Sequence, residues 1–139
     1  MAKEHITNDV AMKQLETEFV PYEIALNMYR LGYDEPCFAF YSRAFANTPY
    51  KLIIGSIVKQ QEYFGGQICS APLWQQAFQW FRNKGFHGTI DSCEGLNTWK
   101  IASVHLDTDK HSENISDYNE AQIACLLELI DIYLQYLNA

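Results

Sequence analysis

Four cysteines, four histidines and a scatter of carboxylates are the residues of this chain that could do chemistry. Their spacing matches no catalytic or metal-binding pattern that chemistry of this kind requires. Cys37, Cys69, Cys93 and Cys125 include no C-x-x-C pair, which argues against a zinc knuckle or a dithiol redox centre. Pro36-Cys37 could open the signature of a zinc deaminase, but Phe40 stands where the second cysteine is needed. The chain contains no H-E-x-x-H, no G-x-S-x-G and no Walker motif, and Gly65-Gly66 is not followed by the Lys and Ser or Thr of a phosphate loop. Cys69 or Cys93 could be combined with His87 or His105 into a thiol–imidazole pair, but any chain with four of each permits such a combination. Asp34-Glu35 is a carboxylate pair in a turn, where adjacent side chains point apart.

One stretch can bring titratable groups together. Phe86 to Ser92 and Thr98 to Leu106 read as two strands, joined by a hairpin loop at Cys93 to Asn97. With Ser92 opposite Lys100, one face carries Phe86, Ile90, Ala102, Val104 and Leu106 toward the core. The other face sets His87 against His105 and Asp91 against Ile101. His87, His105 and Asp91 are therefore the candidate ligand-binding residues. A metal would need a third ligand, Asp91 or His111, and neither has diagnostic spacing. The expectation is a pair of exposed cross-strand histidines, with no metal, no cofactor and no assigned catalytic residue.

The elements that must position these groups are organised around Ser70 to Gly85. Leu73, Trp74, Ala77, Phe78, Trp80 and Phe81 give this stretch a wide apolar stripe at helical spacing. Ser70 is its expected N-cap, Pro72 suits its first turn and Gly85 its end, with Arg82 and Lys84 opposing the negative pole of the helix. An aromatic platform for a ligand is one use of such a stripe. Packing alone accounts for the spacing, so it is read as core.

In chain order, Met1 to Thr17 is polar with a weak helical pattern, and residues 1–18 are expected to be an extension. The domain, residues 19–139, opens with a helix started at Pro21 and closed by Gly32. Cys37 to Tyr41 and Leu52 to Val58 read as strands, and Lys59 to Cys69 as a loop into the central helix. Asp107 to Ser116 reads as a surface loop. The last helix begins with the capping pattern Asp117-x-x-Glu120 and runs to about Asn138. It is apolar on nearly all sides, so it is either buried or shared with a second subunit. Leu129, Tyr133 and Tyr136 are the expected interface residues. The order α-β-β-α-β-β-α predicts an α+β fold with a small, mostly antiparallel sheet of about four strands packed by helices.

Composition narrows the function classes. The chain is 48% hydrophobic and 14% aromatic, which suits one well-filled core in 139 residues. A net charge of -7 and a pI near 4.9 disfavour nucleic acid, whose phosphates need clustered cations. A basic face from Lys51, Lys59, Arg82, Lys84 and Lys100 would be required. No apolar run is long enough to span a membrane, since Glu128 and Asp131 interrupt the longest candidate. Reduced thiols and the lack of a signal peptide point to the cytoplasm of a bacterial host cell.

Several phrases carry a resemblance: Phe19-Val20-Pro21-Tyr22-Glu23, Leu31-Gly32-Tyr33-Asp34-Glu35-Pro36-Cys37-Phe38-Ala39, and Ala71-Pro72-Leu73-Trp74-Gln75-Gln76-Ala77-Phe78-x-Trp80-Phe81-Arg82. With Tyr118-x-Glu120-Ala121-x-x-Ala124-Cys125-Leu126-x-x-Leu129-Ile130, they resemble a family of small uncharacterised proteins of tailed phages and prophages of gut anaerobic bacteria. The likeness covers roughly Phe19 to Leu137. Ser42 to Gly66 has no counterpart, and His87 and Gly88 depart from the family's hydrophobic strand. The resemblance implies origin and a shared fold, and transfers no catalytic residue.

Together these readings predict a non-enzymatic phage or prophage accessory protein. It would bind a protein partner or self-associate through the last helix. The rival expectation is a small enzyme or ligand-binding protein with a site near His87 and His105.

Overall fold

Ten elements follow one another in a computed structural model that describes residues 8–45, 47–58 and 68–139. They are α1 Asn8–Glu16, α2 Tyr22–Arg30, β1 Cys37–Ser42, β2 Lys51–Val58, β3 Ile68–Ser70, α3 Trp74–Asn83, β4 Phe86–Cys93, β5 Leu96–Ser103, β6 Lys110–His111 and α4 Tyr118–Leu137. The class is α+β, as the sequence predicts, but the strands divide into two antiparallel sheets of three, ordered β2-β1-β3 and β4-β5-β6. The two additional strands are β3 and β6, which are three and two residues long. Strands that short carry no periodic signal. Lys59 to Gln67 of the expected loop lie outside the described residues, and the rest of it is β3.

In the first sheet, β1 alternates between a buried row, Cys37, Ala39 and Tyr41, and a more exposed row, Phe38, Phe40 and Ser42. Tyr41 Oη donates to the Val20 carbonyl at 2.6 Å and so ties this strand to the start of α2. The ladder between β1 and β2 is interrupted: Ala39 faces Ile54, yet Cys37 faces Val58. Gly55 lies in the extra length of β2 at φ +111, a conformation that side chains resist.

The central helix begins later than its sequence suggests. Ser70 ends β3, and the peptide groups after it are already engaged. Ala71 N–H donates to Ala39 O at 2.9 Å, and Pro72 O accepts from Val20 N–H at 2.9 Å. Residues 71 and 72 therefore stay extended, and α3 starts at Trp74. Leu73 holds the cap position and its N–H donates to Gln76 Oε1 at 3.0 Å. The far end is as expected, with Gly85 at φ +95 after the last turn.

The hairpin of the second sheet has a different register from the one expected. Its loop is the two-residue turn Glu94-Gly95, both at positive φ, which suits the twist of the flanking strands. Ser92 consequently faces Asn97, and Lys100 faces Thr89. The expected loop was longer and set Ser92 against Lys100. The difference is an odd number of residues, so every side chain of β5 changes face. Ile101 becomes fully buried, and Val104, placed on the core face in the expected register, is 91% exposed beyond the strand end.

The helices meet around one aromatic cluster. Trp80 and Phe81 of α3, Phe86 of β4 and Tyr133 of α4 pack edge to face, with ring centroids 5.1 to 6.0 Å apart. Such contacts add to the area they bury. The stripe of α3 is therefore core, as its spacing predicts. Gly88 lets the sheet approach α4 closely: a Cβ there would lie 2.9 Å from Leu129 Cδ1 and 3.0 Å from Cys125 Sγ. Asp117 caps α4 by accepting from Glu120 N–H at 3.2 Å, as the capping pattern requires.

Candidate functional site

The two histidines of the hairpin do not face each other. His87 pairs with Ala102 on the outward face of the second sheet and is exposed. Asp91 pairs with Thr98 on that same face, four residues along, a separation of roughly 13 Å at the usual strand rise. His105 lies beyond the end of β5. Its ring packs against Phe86 at 5.3 Å and Tyr136 at 4.4 Å between centroids, on the side of the sheet that α4 covers. Phe86 and His87 are adjacent in a strand and point to opposite faces, and His105 follows Phe86. The expected convergence of His87, His105 and Asp91 is thus corrected by the register. Among the described residues no group of three or more His, Cys, Asp and Glu is arranged to hold a metal ion.

The cysteines divide by environment. Cys37, Cys69 and Cys125 are buried and Cys93 is exposed. Burial pushes the thiols of Cys69 and Cys125 up to about 12 and raises that of Cys37. These three are neutral packing groups at ordinary pH. Cys69, expected near a loop, is buried because β3 holds it against Tyr41.

The basic residues occupy separate places. Lys84 Nζ lies over the Trp80 ring at 4.8 Å, and Lys100 pairs with Asp109 at 3.4 Å. Arg82 Nη2 donates to Gln79 Oε1 at 2.9 Å, while Lys51 is on β2 in the other sheet. Lys59 lies outside the described residues.

On α4 the expected interface residues also need correcting. Leu129 is fully buried under Gly88, and Tyr133 packs in the aromatic cluster, so only Tyr136 of the three keeps a substantial exposed surface. The outward row is a different set. Leu127, Leu134 and Leu137 are 46%, 42% and 51% exposed; Ile123 and Ile130 continue the same four- and three-residue spacing, but Ile130 is 6% exposed and belongs to the core, so the outward row is the three leucines. Periodicity alone could not separate this row from the buried one, because nearly every face of α4 is apolar.

A cleft of about 820 Å³ opens between the end of α1, the start of α3 and the start of α4, with Ile54 of β2 at its side. Trp74 and Phe19 form its buried wall, and Leu15, Ile54, Leu73 and Tyr118 add apolar surface. Trp74 is fixed by its Nε1–H, which donates to Thr17 O at 2.8 Å, and by a short bridge between Phe19 and Leu73. The polar lining consists of Gln75, Asn119, Gln122 and Thr17, with the carboxylates of Glu18 and Asp117 and no lysine or arginine among the described residues. A smaller hollow of about 240 Å³ shares Trp74, Gln75, Tyr118 and Gln122 and extends toward Ile90 and Arg82. Such a lining can hold apolar side chains, hydrogen-bond a peptide backbone through carboxamides and attract a cation. The amphipathic start of α3 and the cap of α4 are readable from sequence; that they border one cleft with Leu15 is decided by tertiary packing.

No helix among the described residues is long and apolar enough to cross a membrane. No family model, no curated protein and no solved structure matches the chain.

Proposed function

We propose that this chain is a non-enzymatic accessory protein of the phage or prophage type, acting as a protein-binding module that self-associates through the outer row of α4. The observation that carries this reading is the exposed seam of Leu127, Leu134 and Leu137. The origin rests on the resemblance of several phrases, the closing helix among them, to the phage and prophage family. Asp131 lies beside the seam and accepts from Gln135 Nε2 at 3.0 Å, which partly satisfies its carboxylate. Two copies of α4 laid together would remove from water the roughly half of each leucine that is still exposed, a gain on the order of 1 kcal/mol for each. The rival reading, an enzyme or ligand-binding protein built on His87, His105 and Asp91, is favoured by no observation, since these groups do not converge.

The test is solution mass by light scattering over a range of concentrations. Twice 16.1 kDa is expected for the natural chain, and a single chain for Leu134→Glu with its circular dichroism unchanged. A monomer at every concentration, or a dimer indifferent to both Leu134→Glu and Leu127→Glu, removes the self-association. Leu129→Glu cannot serve, because it places a carboxylate in the core and unfolds the chain.

A further inference from the structure

We infer that the cleft between α1 and the starts of α3 and α4 is a docking groove for a segment of another protein, one that carries apolar anchors flanked by lysine or arginine. This extends the protein-binding reading to a second face, separate from the α4 seam.

Three observations bear on the occupant. The first is the lining. Trp74, Phe19 and Tyr118 give an aromatic wall wide enough for aliphatic or aromatic side chains, and the carboxamides of Gln75, Asn119 and Gln122 can both donate to and accept from a peptide backbone. The second is charge. Glu18 and Asp117 contribute the formal charges of the lining among the described residues, Arg82 lies only in the smaller adjoining hollow, and the whole chain carries -7. An acidic segment is repelled there and a basic one is drawn in. A second copy of this acidic chain is for the same reason a poor occupant.

The third is α1. A nine-residue helix is marginal by itself in water, and α1 leaves Val10 and Leu15 about half exposed. The chain just after it is anchored, where Thr17 O accepts from Trp74 Nε1–H and Glu18 O accepts from Trp74 backbone N–H. A segment lying along the cleft covers Leu15 and gives α1 an apolar surface to pack on. The groove thereby gains a second wall when it is filled.

The test pans a library of random twelve-residue peptides against the full chain and then measures the affinity of the enriched peptides. A consensus of apolar residues with adjacent lysine or arginine is expected. Binding should weaken about fivefold in Glu18→Gln/Asp117→Asn, a pair that removes the charges while keeping an α4 cap, and about tenfold in Tyr118→Ala. Added salt should lower the affinity of the natural chain and have less effect on the charge-neutral pair. An acidic or purely polar consensus, no enrichment, or affinities unchanged in both variants overturns the inference. So does a change in the solution mass of the peptide-free protein in Glu18→Gln/Asp117→Asn, which would make the occupant a second copy. Leu134→Glu should leave peptide affinity unchanged, so failure of the seam and failure of the groove are separately visible.

Discussion

Gly88 shows how much can depend on one missing methyl group. A Cβ there would also lie 3.2 Å from Phe78 Cε1, so a side chain meets α3 and α4 at once. Gly88→Ala is expected to cost about 1–3 kcal/mol, because three packed side chains must shift together. Thermal unfolding would measure it, and Cys125→Ala in the same chain should recover part of the loss by making room. The buried thiols allow a second prediction. Folding holds Cys69 and Cys125 neutral up to about pH 12, whereas in the unfolded chain each ionises near its ordinary 9.0. Their contribution is therefore complete below about pH 9 and is lost as pH rises toward 12. Each adds a slope of about 1.4 kcal/mol per pH unit across that interval. Urea midpoints measured from pH 8 upward should fall steeply, and less steeply in Cys125→Ala. At neutral pH a thiol reagent should label Cys93 rapidly, and the other three only in denaturant.

Among the elements, α4 depends on a residue that belongs to another strand. Asn97 of β5 is 5% exposed, and its Nδ2 donates to Ile115 O at 3.0 Å and Ser116 O at 3.3 Å. Ser92 Oγ donates to its Oδ1. These bonds, with the bridge between Asn97 and Ile115, fix the chain just before Asp117 and so place the α4 cap. Asn97→Ala removes three side-chain hydrogen bonds at a buried position, those to Ile115 O, Ser116 O and from Ser92 Oγ, and should cost about 1–3 kcal/mol, more than the roughly 1 kcal/mol expected for Asp117→Ala at the cap itself. Chemical denaturation of the two variants decides the order. Element by element, the sequence was most readable where local chemistry decides. Gly85, Asp117 as the cap of α4, and the spacing of Trp74, Phe78 and Phe81 all mean in the structure what they mean in isolation. It was least readable where a distant partner decides. Ser70 looks like a cap, but the strand ladder holds the chain extended as far as Leu73. The hairpin register turned on Glu94 accepting φ 53, which a non-glycine residue does not announce.

At the scale of the molecule, the α+β class and an aromatic core were legible, because both follow from periodicity and composition. The division into two sheets was not, since whether the β1–β2 and β4–β5 ladders join is decided by tertiary packing, and β3 and β6, together five residues, have no pattern of their own. The proposed surfaces were partly hidden for a related reason. A helix apolar on every side does not reveal which row faces out, and a cleft assembled from Leu15, Trp74 and Tyr118 joins residues far apart in the chain. The bulge at Gly55 bears on how such a molecule tolerates crowding. Among the described residues β2 pairs with β1 alone and is an edge strand of its sheet. A straight edge is a template on which further strands can be laid until fibrils grow. The irregularity at Gly55 interrupts that template partway along the strand, and Lys51 sets a charge at its start. The interruption that weakens one ladder thus also favours discrete particles over fibrils at high concentration.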